Sequence, residues 1–152
     1  MEKSFNINYS HFDCYDDMST SDRELIELAK NGARHSCAPY SNFSVGAALR
    51  LSSGEVEFAA NVESEVYPAG ICAERNLLFN TAVRHPNETI TAIAIISIST
   101  TDECYPCGLC RQTLLDTERR QGAPIRIIMA GGESVTVVDS AALLLPFGFK
   151  LK

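Results

Sequence analysis

The segment Ile90–Ile98 constrains the fold of this chain most strongly, because it is almost continuously apolar and rich in β-branched residues. Such a run is typical of a strand that is covered on both faces. Helical patterns flank it on either side, CAERNLLFNTAVR from Cys72 and CGLCRQTLLDTERR from Cys107. The sequence therefore predicts a central strand between two helices, which requires packed layers on the faces of the sheet.

Two patterns precede this region. Ser21 and Glu24 form a capping-box pattern, followed by apolar residues at helical spacing, so a first helix is expected from there to about Arg34. Apolar residues then alternate along Phe43–Leu51 and again along Val56–Val62, with a Ser-Ser-Gly turn between the two runs. This alternation predicts a β-hairpin.

Two short apolar runs near the C-terminus, Ile125–Met129 and Val135–Val138, are interpreted as further strands. The predicted order is α-β-β-α-β-α-β-β. Since helices separate some of the strands, we expect an α/β three-layer sandwich, with a mixed five-stranded sheet and helices on both faces. The chain is expected to form a single domain over residues 21–152, after an N-terminal arm over residues 1–20 that shows no periodicity.

The charge distribution excludes some classes of partner. The formal net charge is −6 and no run of Lys or Arg makes a cationic stripe, so no nucleic acid is expected as a partner. The longest apolar stretches, around Ala92–Ile96 and Ala141–Leu145, are too short to span a bilayer. The polar start MEKSFNINYS also lacks the apolar core of a signal peptide. We expect no membrane partner and a cytoplasmic location.

The cysteines are candidate metal ligands, because thiols stay reduced in the cytosol. Cys107-Gly-Leu-Cys110 has a spacing that lets both sulfurs reach one zinc ion, although a structural zinc knuckle or a redox dithiol uses the same spacing. Cys72 opens another predicted helix, so two helix starts can converge on one ion. The remaining cysteines, Cys14 and Cys37 and Cys104, stand alone and are interpreted as ordinary residues.

Three thiolates leave the fourth position of a tetrahedral zinc ion open, which is typical of a catalytic site. None of the three histidines stands at a ligand-like spacing. A zinc ion with an open position lowers the pKa of a water molecule towards about 7, and Glu74, two residues after Cys72, can move the protons. Arg75 is predicted to offset the negative charge of the thiolates by donating to sulfur.

Four blocks of the sequence, in order, resemble those of the homotetrameric, small-subunit zinc-dependent cytidine deaminases. They are CAPYSNFSVGAAL at Cys37–Leu49, NVESEVYPAGICAER at Asn61–Arg75, PCGLCRQ at Pro106–Gln112 and LLPFGF at Leu144–Phe149. The resemblance implies a hydrolase that converts cytidine and deoxycytidine to uridine and deoxyuridine with release of ammonia, in pyrimidine salvage.

The resemblance also implies roles for individual residues. Cys72, Cys107 and Cys110 would bind zinc, and Glu74 would shuttle protons. A cysteine rather than a histidine at the first ligand position implies a small-molecule nucleoside substrate.

The implied substrate contacts come from three segments. Phe43 would stack on the pyrimidine, and Asn61 and Glu63 would bind the ribose 3′-hydroxyl. The backbone of Ala73 would contact the pyrimidine carbonyl. Tyr67 and Phe149 resemble residues that enter a neighbouring subunit's site, which implies a homotetramer with shared active sites.

The sequence departs from the family pattern at NVESEV. Ser64 stands where asparagine is common, and Glu65 stands where a small residue usually lies near the 5′ end of the sugar. A carboxylate there would disfavour a 5′-phosphate.

Three alternative functions remain open at this point. They are a structural zinc module, a deaminase of another cytosine compound, such as an antibiotic nucleoside or the free base, and a thiol-disulfide redox protein.

Overall fold

The computed structural model describes residues 1–151. Within this range, six strands and three α-helices alternate along the chain. They are β1 (Ser10–Phe12), α1 (Thr20–Ala33), β2 (Val45–Leu51), β3 (Val56–Ala60), α2 (Ala73–Arg84), β4 (Ile90–Ser97), α3 (Gly108–Gln121), β5 (Arg126–Ala130) and β6 (Val135–Val138). Lys152, the predicted end of the domain, lies outside the described residues.

The strands form one mixed sheet in the order β1-β6-β5-β4-β2-β3. Strands β4 and β5 are parallel and are connected through α3, while the other neighbouring pairs are antiparallel. Residues Ile93 and Ile95 of β4 are completely buried. The predicted central strand and the predicted hairpin are thus confirmed.

The expectation of five strands was wrong by one, because part of the N-terminal arm adds an edge strand. Strand β1 pairs antiparallel with β6, with His11 opposite Thr136. The His11 imidazole contacts the Thr136 hydroxyl at 3.1 Å, and the Tyr15 hydroxyl donates a hydrogen bond to the Gly131 carbonyl. These long-range contacts order a segment whose own sequence shows no strand alternation.

Helices cover both faces of the sheet, so the three-layer prediction is confirmed. Helix α1 packs on one face through Leu25 and Ile26. It approaches β2 so closely that a Cβ added to Gly46 would lie 2.0 Å from the Ala29 carbonyl oxygen. Helices α2 and α3 lie on the other face, where Leu77 and Leu114 join the larger apolar core. In the described part of the chain, no helix is long and apolar enough to cross a membrane.

The first helix begins slightly before its predicted start. Ser19, rather than Ser21, is the cap, and its Oγ accepts a hydrogen bond from the Asp22 backbone N–H at 3.1 Å. The Asp22 carboxylate is used elsewhere, since it binds Arg126 of β5 at 3.1 Å. Two Ser-x-x-acid patterns overlap here, and the one nearer the N-terminus is used.

Candidate metal centre

Three cysteines meet where α2 and α3 begin. Cys72 and Cys107 are the cap residues directly before the two helices, and Cys110 lies in the first turn of α3. Their sulfurs lie within 4.8 Å of one another. Because the helices start side by side, the short motifs around Cys72 and Cys107 converge on one point.

The cysteine cluster, Cys72 with Cys107 and Cys110, has the donors that zinc prefers. Sulfurs bound to a tetrahedral zinc ion at about 2.3 Å lie about 3.8 Å apart, which small adjustments of this cluster can reach. Within residues 1–151, the cluster contains these three ligand residues and no fourth. The residues therefore fit a zinc ion that keeps one position open.

The thiol of Cys72 is poised to ionise. A hydrogen bond from Cys110 lowers the pKa of Cys72 to about 5, with a further contribution from Arg75, although burial acts in the opposite direction. The same hydrogen bond and burial raise the pKa of Cys110. The thiolate is therefore favoured on Cys72, with the Cys110 thiol as the hydrogen-bond donor. The N-terminal ends of two helices further favour a thiolate at this point.

Arg75 faces the sulfurs from the first turn of α2. Burial acts to lower its pKa, but the hydrogen bond to Cys72 and the charges of Cys72 and Cys110 raise it overall. Its Nε is buried and has no well-aligned acceptor within the described chain.

Glu74 is buried beside the cluster rather than solvated on the surface of α2. The residue is 4% exposed. Burial is the main cause that raises the pKa of Glu74 to about 7, and the charge of Cys72 adds to it. The Cys110 thiol, which lies within hydrogen-bonding range of the carboxyl, acts in the other direction. A carboxyl in this environment can both accept and return a proton near neutral pH.

A cleft of about 450 Å³ opens onto Cys72 and Arg75. Three of the predicted substrate contacts, Asn61 and Glu63 and Tyr67, also line it. The structure therefore brings one ligand cysteine, its neighbouring guanidinium and polar side chains from a separate segment into one cavity. The volume is in the range of small-molecule sites.

Hydrogen bonds fix Asn61 in the wall of the cleft. Its Oδ1 accepts from the Ser36 hydroxyl at 2.6 Å and from the Val45 backbone N–H at 2.8 Å. Its Nδ2 donates to the Phe43 carbonyl at 2.8 Å. Asn61 thus joins the entry to β2 to the exit from β3, and one N–H of its amide remains for a ligand.

Glu63 is held in a similar way. Its Oε2 accepts from the backbone N–H groups of Tyr40 and Ser41 at 3.0 and 3.1 Å, and its Oε1 accepts from the Ser41 hydroxyl. The Ser41 hydroxyl is the largest of the causes that lower the pKa of Glu63. The carboxylate is therefore ionised at neutral pH and fixed in position.

The other predicted contacts lie outside the cleft lining. Phe43 is 39% exposed, and Ala73 is buried at the first position of α2. Phe149 is 69% exposed, and its carbonyl accepts from Gln112 of α3 at 3.1 Å and from Arg119 at 2.7 Å. The C-terminal aromatic is thus tied to α3, away from the cleft of its own chain.

Four residues near the site were not predicted to act there. Tyr40 and Ser41 line the cleft. Arg111 donates to the Pro106 carbonyl at 2.8 Å and also to the Leu144 carbonyl, and these bonds fix the loop before Cys107. Cys104, interpreted as an ordinary residue, packs on the core, and burial raises its pKa to about 12, with contributions from the nearby charges of the site. Tyr40 and Ser41 lie in the block Cys37–Leu49 and Arg111 in the block Pro106–Gln112, but their contacts join distant segments and were not read from the motifs.

Comparisons with known proteins agree with this geometry. The family described as "Cytidine and deoxycytidylate deaminase zinc-binding region" matches residues 19–121. The cytidine deaminase of Halalkalibacterium halodurans is 38% identical over 92 residues, which are 60% of this chain and 68% of that protein. The probable cytidine deaminase of Dictyostelium discoideum is 37% identical over 59% of this chain and 60% of its own length, which is less than two thirds.

Solved structures show the same architecture. A cytidine deaminase from Burkholderia pseudomallei superposes with a TM-score of 0.74 and 35% identity, covering 87% of this chain and all of that one. The cytidine deaminase from Mycobacterium tuberculosis gives a TM-score of 0.70 at 26% identity, over 88% of this chain. The fold and the matched motif thus agree over most of the described residues.

Proposed function

The chain belongs to the family defined by the zinc-binding region of cytidine and deoxycytidylate deaminases, and from this premise we propose that it deaminates cytidine and deoxycytidine by hydrolysis. The products are uridine or deoxyuridine and ammonia. The observation that carries the proposal is the cysteine cluster beside the buried Glu74, with Cys72 opening onto a cleft that has fixed polar walls.

In this proposal, Cys72, Cys107 and Cys110 hold the zinc ion. When bound, the ion supplies an activated water molecule by lowering its pKa towards about 7. The guanidinium of Arg75 offsets the excess negative charge of the three thiolates. The cysteines also fix the position of the ion relative to Glu74, because two of them are the caps of packed helices.

Glu74 moves the protons of the reaction. Its carboxylate takes a proton from the attacking water and delivers it to the ring nitrogen next to the amino-bearing carbon. It then passes the second proton of the water to the leaving amine, and ammonia departs as the carbonyl forms. Burial beside the cluster supports this role, since a solvated carboxyl would exchange protons with bulk water instead.

The polar wall of the cleft suits a sugar-bearing substrate. Asn61 retains an N–H for the ribose, and the fixed carboxylate of Glu63 can accept from its 3′-hydroxyl. Phe43 stacks on the pyrimidine, and the backbone of Ala73 reads its carbonyl. Such contacts hold the base over the reacting atoms in a near-attack geometry.

The proposal includes a homotetramer with shared active sites. The side chains of Tyr67 and Phe149 are 76% and 69% exposed, so both are accessible to a neighbouring subunit. In the assembly each would enter a neighbouring subunit's site. All six cysteines are free thiols, which supports a cytoplasmic location.

A direct assay tests the function. Cytidine loss is followed by ultraviolet absorbance with the purified chain, and zinc content is measured on the same sample. We expect one zinc per chain and turnover of cytidine well above that of free cytosine, which lacks the sugar. Bound zinc with no deamination would instead indicate a structural site, and a cytosine preference would indicate another substrate.

A further inference from the structure

A second group of metal-ligating side chains lies at the opposite end of α2 from the cysteine cluster. His85 ends the helix, Glu55 belongs to the turn between β2 and β3, and Glu88 belongs to the loop before β4. One ligand atom from each lies within 4.8 Å of the others. We propose that these three residues, the His85 cluster, bind a second divalent cation of the Zn²⁺ type.

A carboxylate holds one ring nitrogen of the His85 imidazole. His85 Nε2 lies 2.7 Å from Glu57 Oε1, and the two side chains are 15% and 12% exposed. When Nε2 carries the proton and donates to this carboxylate, Nδ1 keeps the free lone pair. A carboxylate that holds the other ring nitrogen is the usual partner of a metal-bound histidine, because it fixes the tautomer and the ring orientation.

Glu88 is fixed between the hairpin and the helix end. Its Oε2 accepts from the Ser53 backbone N–H at 3.0 Å, and its own N–H donates to the His85 carbonyl at 3.2 Å. The hydrogen bonds from Ser53 also lower the pKa of Glu88. The carboxylate is therefore ionised at neutral pH and retains Oε1 for a cation.

The charge of this region also favours a cation. Three glutamates, Glu55, Glu57 and Glu88, gather at the C-terminal end of α2, where the helix dipole is negative. Arg84 lies 3.4 Å from Glu57. Among the ion pairs of residues 1–151, none joins Glu55 or Glu88 to a Lys or Arg. A bound divalent ion would neutralise this excess.

The donor set selects the kind of ion. An imidazole with two carboxylates suits Zn²⁺ and its first-row neighbours better than Mg²⁺ or Ca²⁺, which take oxygen ligands alone. Ligand atoms at about 2.0–2.2 Å from one zinc ion lie at most about 4.4 Å apart, so a small rotation of the exposed Glu55 closes the set. The ion would join the hairpin to α2, about 20 Å along the helix from Cys72.

Zinc binding to the full chain tests this inference. The chain is first loaded with one zinc per chain, and a second equivalent of Zn²⁺ is then titrated by equilibrium dialysis with elemental analysis. We expect the wild type to take up the second equivalent. Glu57→Gln should weaken it by about 10- to 100-fold, the usual cost of losing the partner of a ligand histidine. Glu55→Gln and His85→Gln, which remove ligands, should weaken it further.

Glu24→Gln is the matched control, because Glu24 is an exposed glutamate of α1 outside the cluster. Its second equivalent should bind as in the wild type. Glu55 lies in an exposed turn, so its variant keeps the test valid even if His85→Gln unfolds. If the wild type binds no second equivalent, or if every variant binds it equally, these residues form only contacts within the protein. Either result would overturn the inference. The first equivalent and cytidine turnover, measured in parallel, report separately on the proposed function.

Discussion

The two ends of α2 carry opposite electrostatics and gather different donors. At the N-terminal end, Cys72 and Glu74 lie where the positive helix dipole favours ionised sulfur. At the C-terminal end, glutamates lie around His85 although the helix dipole there is negative. At the N-terminal end, the helix dipole itself stabilises anionic ligands. At the C-terminal end it does not, so the glutamates there need a bound cation to offset their charge.

The largest effect should come from removing a ligand at the N-terminal end. Cys110→Ala should cost zinc affinity well beyond the about 10- to 100-fold expected for a residue that only orients a ligand, and deamination should be lost. Zinc content and cytidine turnover check this. Cys14→Ser, at an exposed cysteine outside the cluster, is the control. Normal zinc content in Cys110→Ala would remove this residue from the ligand set.

A large effect without metal loss is expected at Glu74. Glu74→Gln keeps the shape of the side chain but cannot carry a proton, so turnover should fall by about 10²- to 10⁴-fold while zinc stays bound. Glu27→Gln, at an exposed glutamate paired with Lys30, should change neither quantity. Near-normal turnover of Glu74→Gln would refute the assigned role.

A smaller effect is expected in the wall of the cleft. Glu63→Gln removes the charge that Ser41 and Tyr40 hold in place, so the KM for cytidine should rise about tenfold, equivalent to one charged hydrogen bond of about 1.5 kcal/mol. Steady-state kinetics separate this from kcat. Ser41→Ala, which removes a partner but keeps the carboxylate, should have a milder effect. An unchanged KM for Glu63→Gln would remove the ribose contact from the account.

Glu65 sharpens the choice between nucleoside and nucleotide. Glu65 is exposed and follows Ser64, which lines the cleft. Its repulsion of a 5′-phosphate is screened by solvent and should be worth about 1 kcal/mol. Glu65→Gln should therefore raise the kcat/KM for deoxycytidylate relative to deoxycytidine by about fivefold. An unchanged ratio would show that the carboxylate does not face the phosphate.

The smallest effect is expected at the C-terminal end, as a shift in stability. With zinc at about ten times its dissociation constant for the His85 cluster, the wild type should gain about 1.4 kcal/mol, or roughly 3–5 °C in Tm. Glu55→Gln should gain little under the same conditions. Calorimetric melts of zinc-loaded protein, with and without added Zn²⁺, compare the two. An equal gain in both proteins would mean that zinc binds elsewhere.

The sequence predicted the features that depend on short patterns. The buried strand at Ile90–Ile98, and the helix starts at Cys72 and Cys107, follow from local periodicity and from caps, and these three elements place the cysteine cluster. The sequence blocks that contain these signals also resemble those of a known family, and the substrate contacts were inferred from that resemblance. Prediction and structure therefore agree best where the same short segment determines both a secondary-structure element and a ligand residue.

The features that sequence reasoning missed depend on contacts between distant segments. The edge strand β1 forms because His11 and Tyr15 bind residues near the other end of the chain. The His85 cluster draws its ligands from a turn, a helix end and a loop, with no motif spacing. The resemblance supplied no role for either feature, and only the folded structure brings these residues together.

X-ray absorption at the zinc edge tests the central claim most directly, because it counts the atoms around the ion. With one zinc per chain, we expect three sulfur neighbours at about 2.3 Å and a single lighter neighbour. Four sulfurs, or fewer than three, would contradict a zinc ion that Cys72, Cys107 and Cys110 hold with one position open.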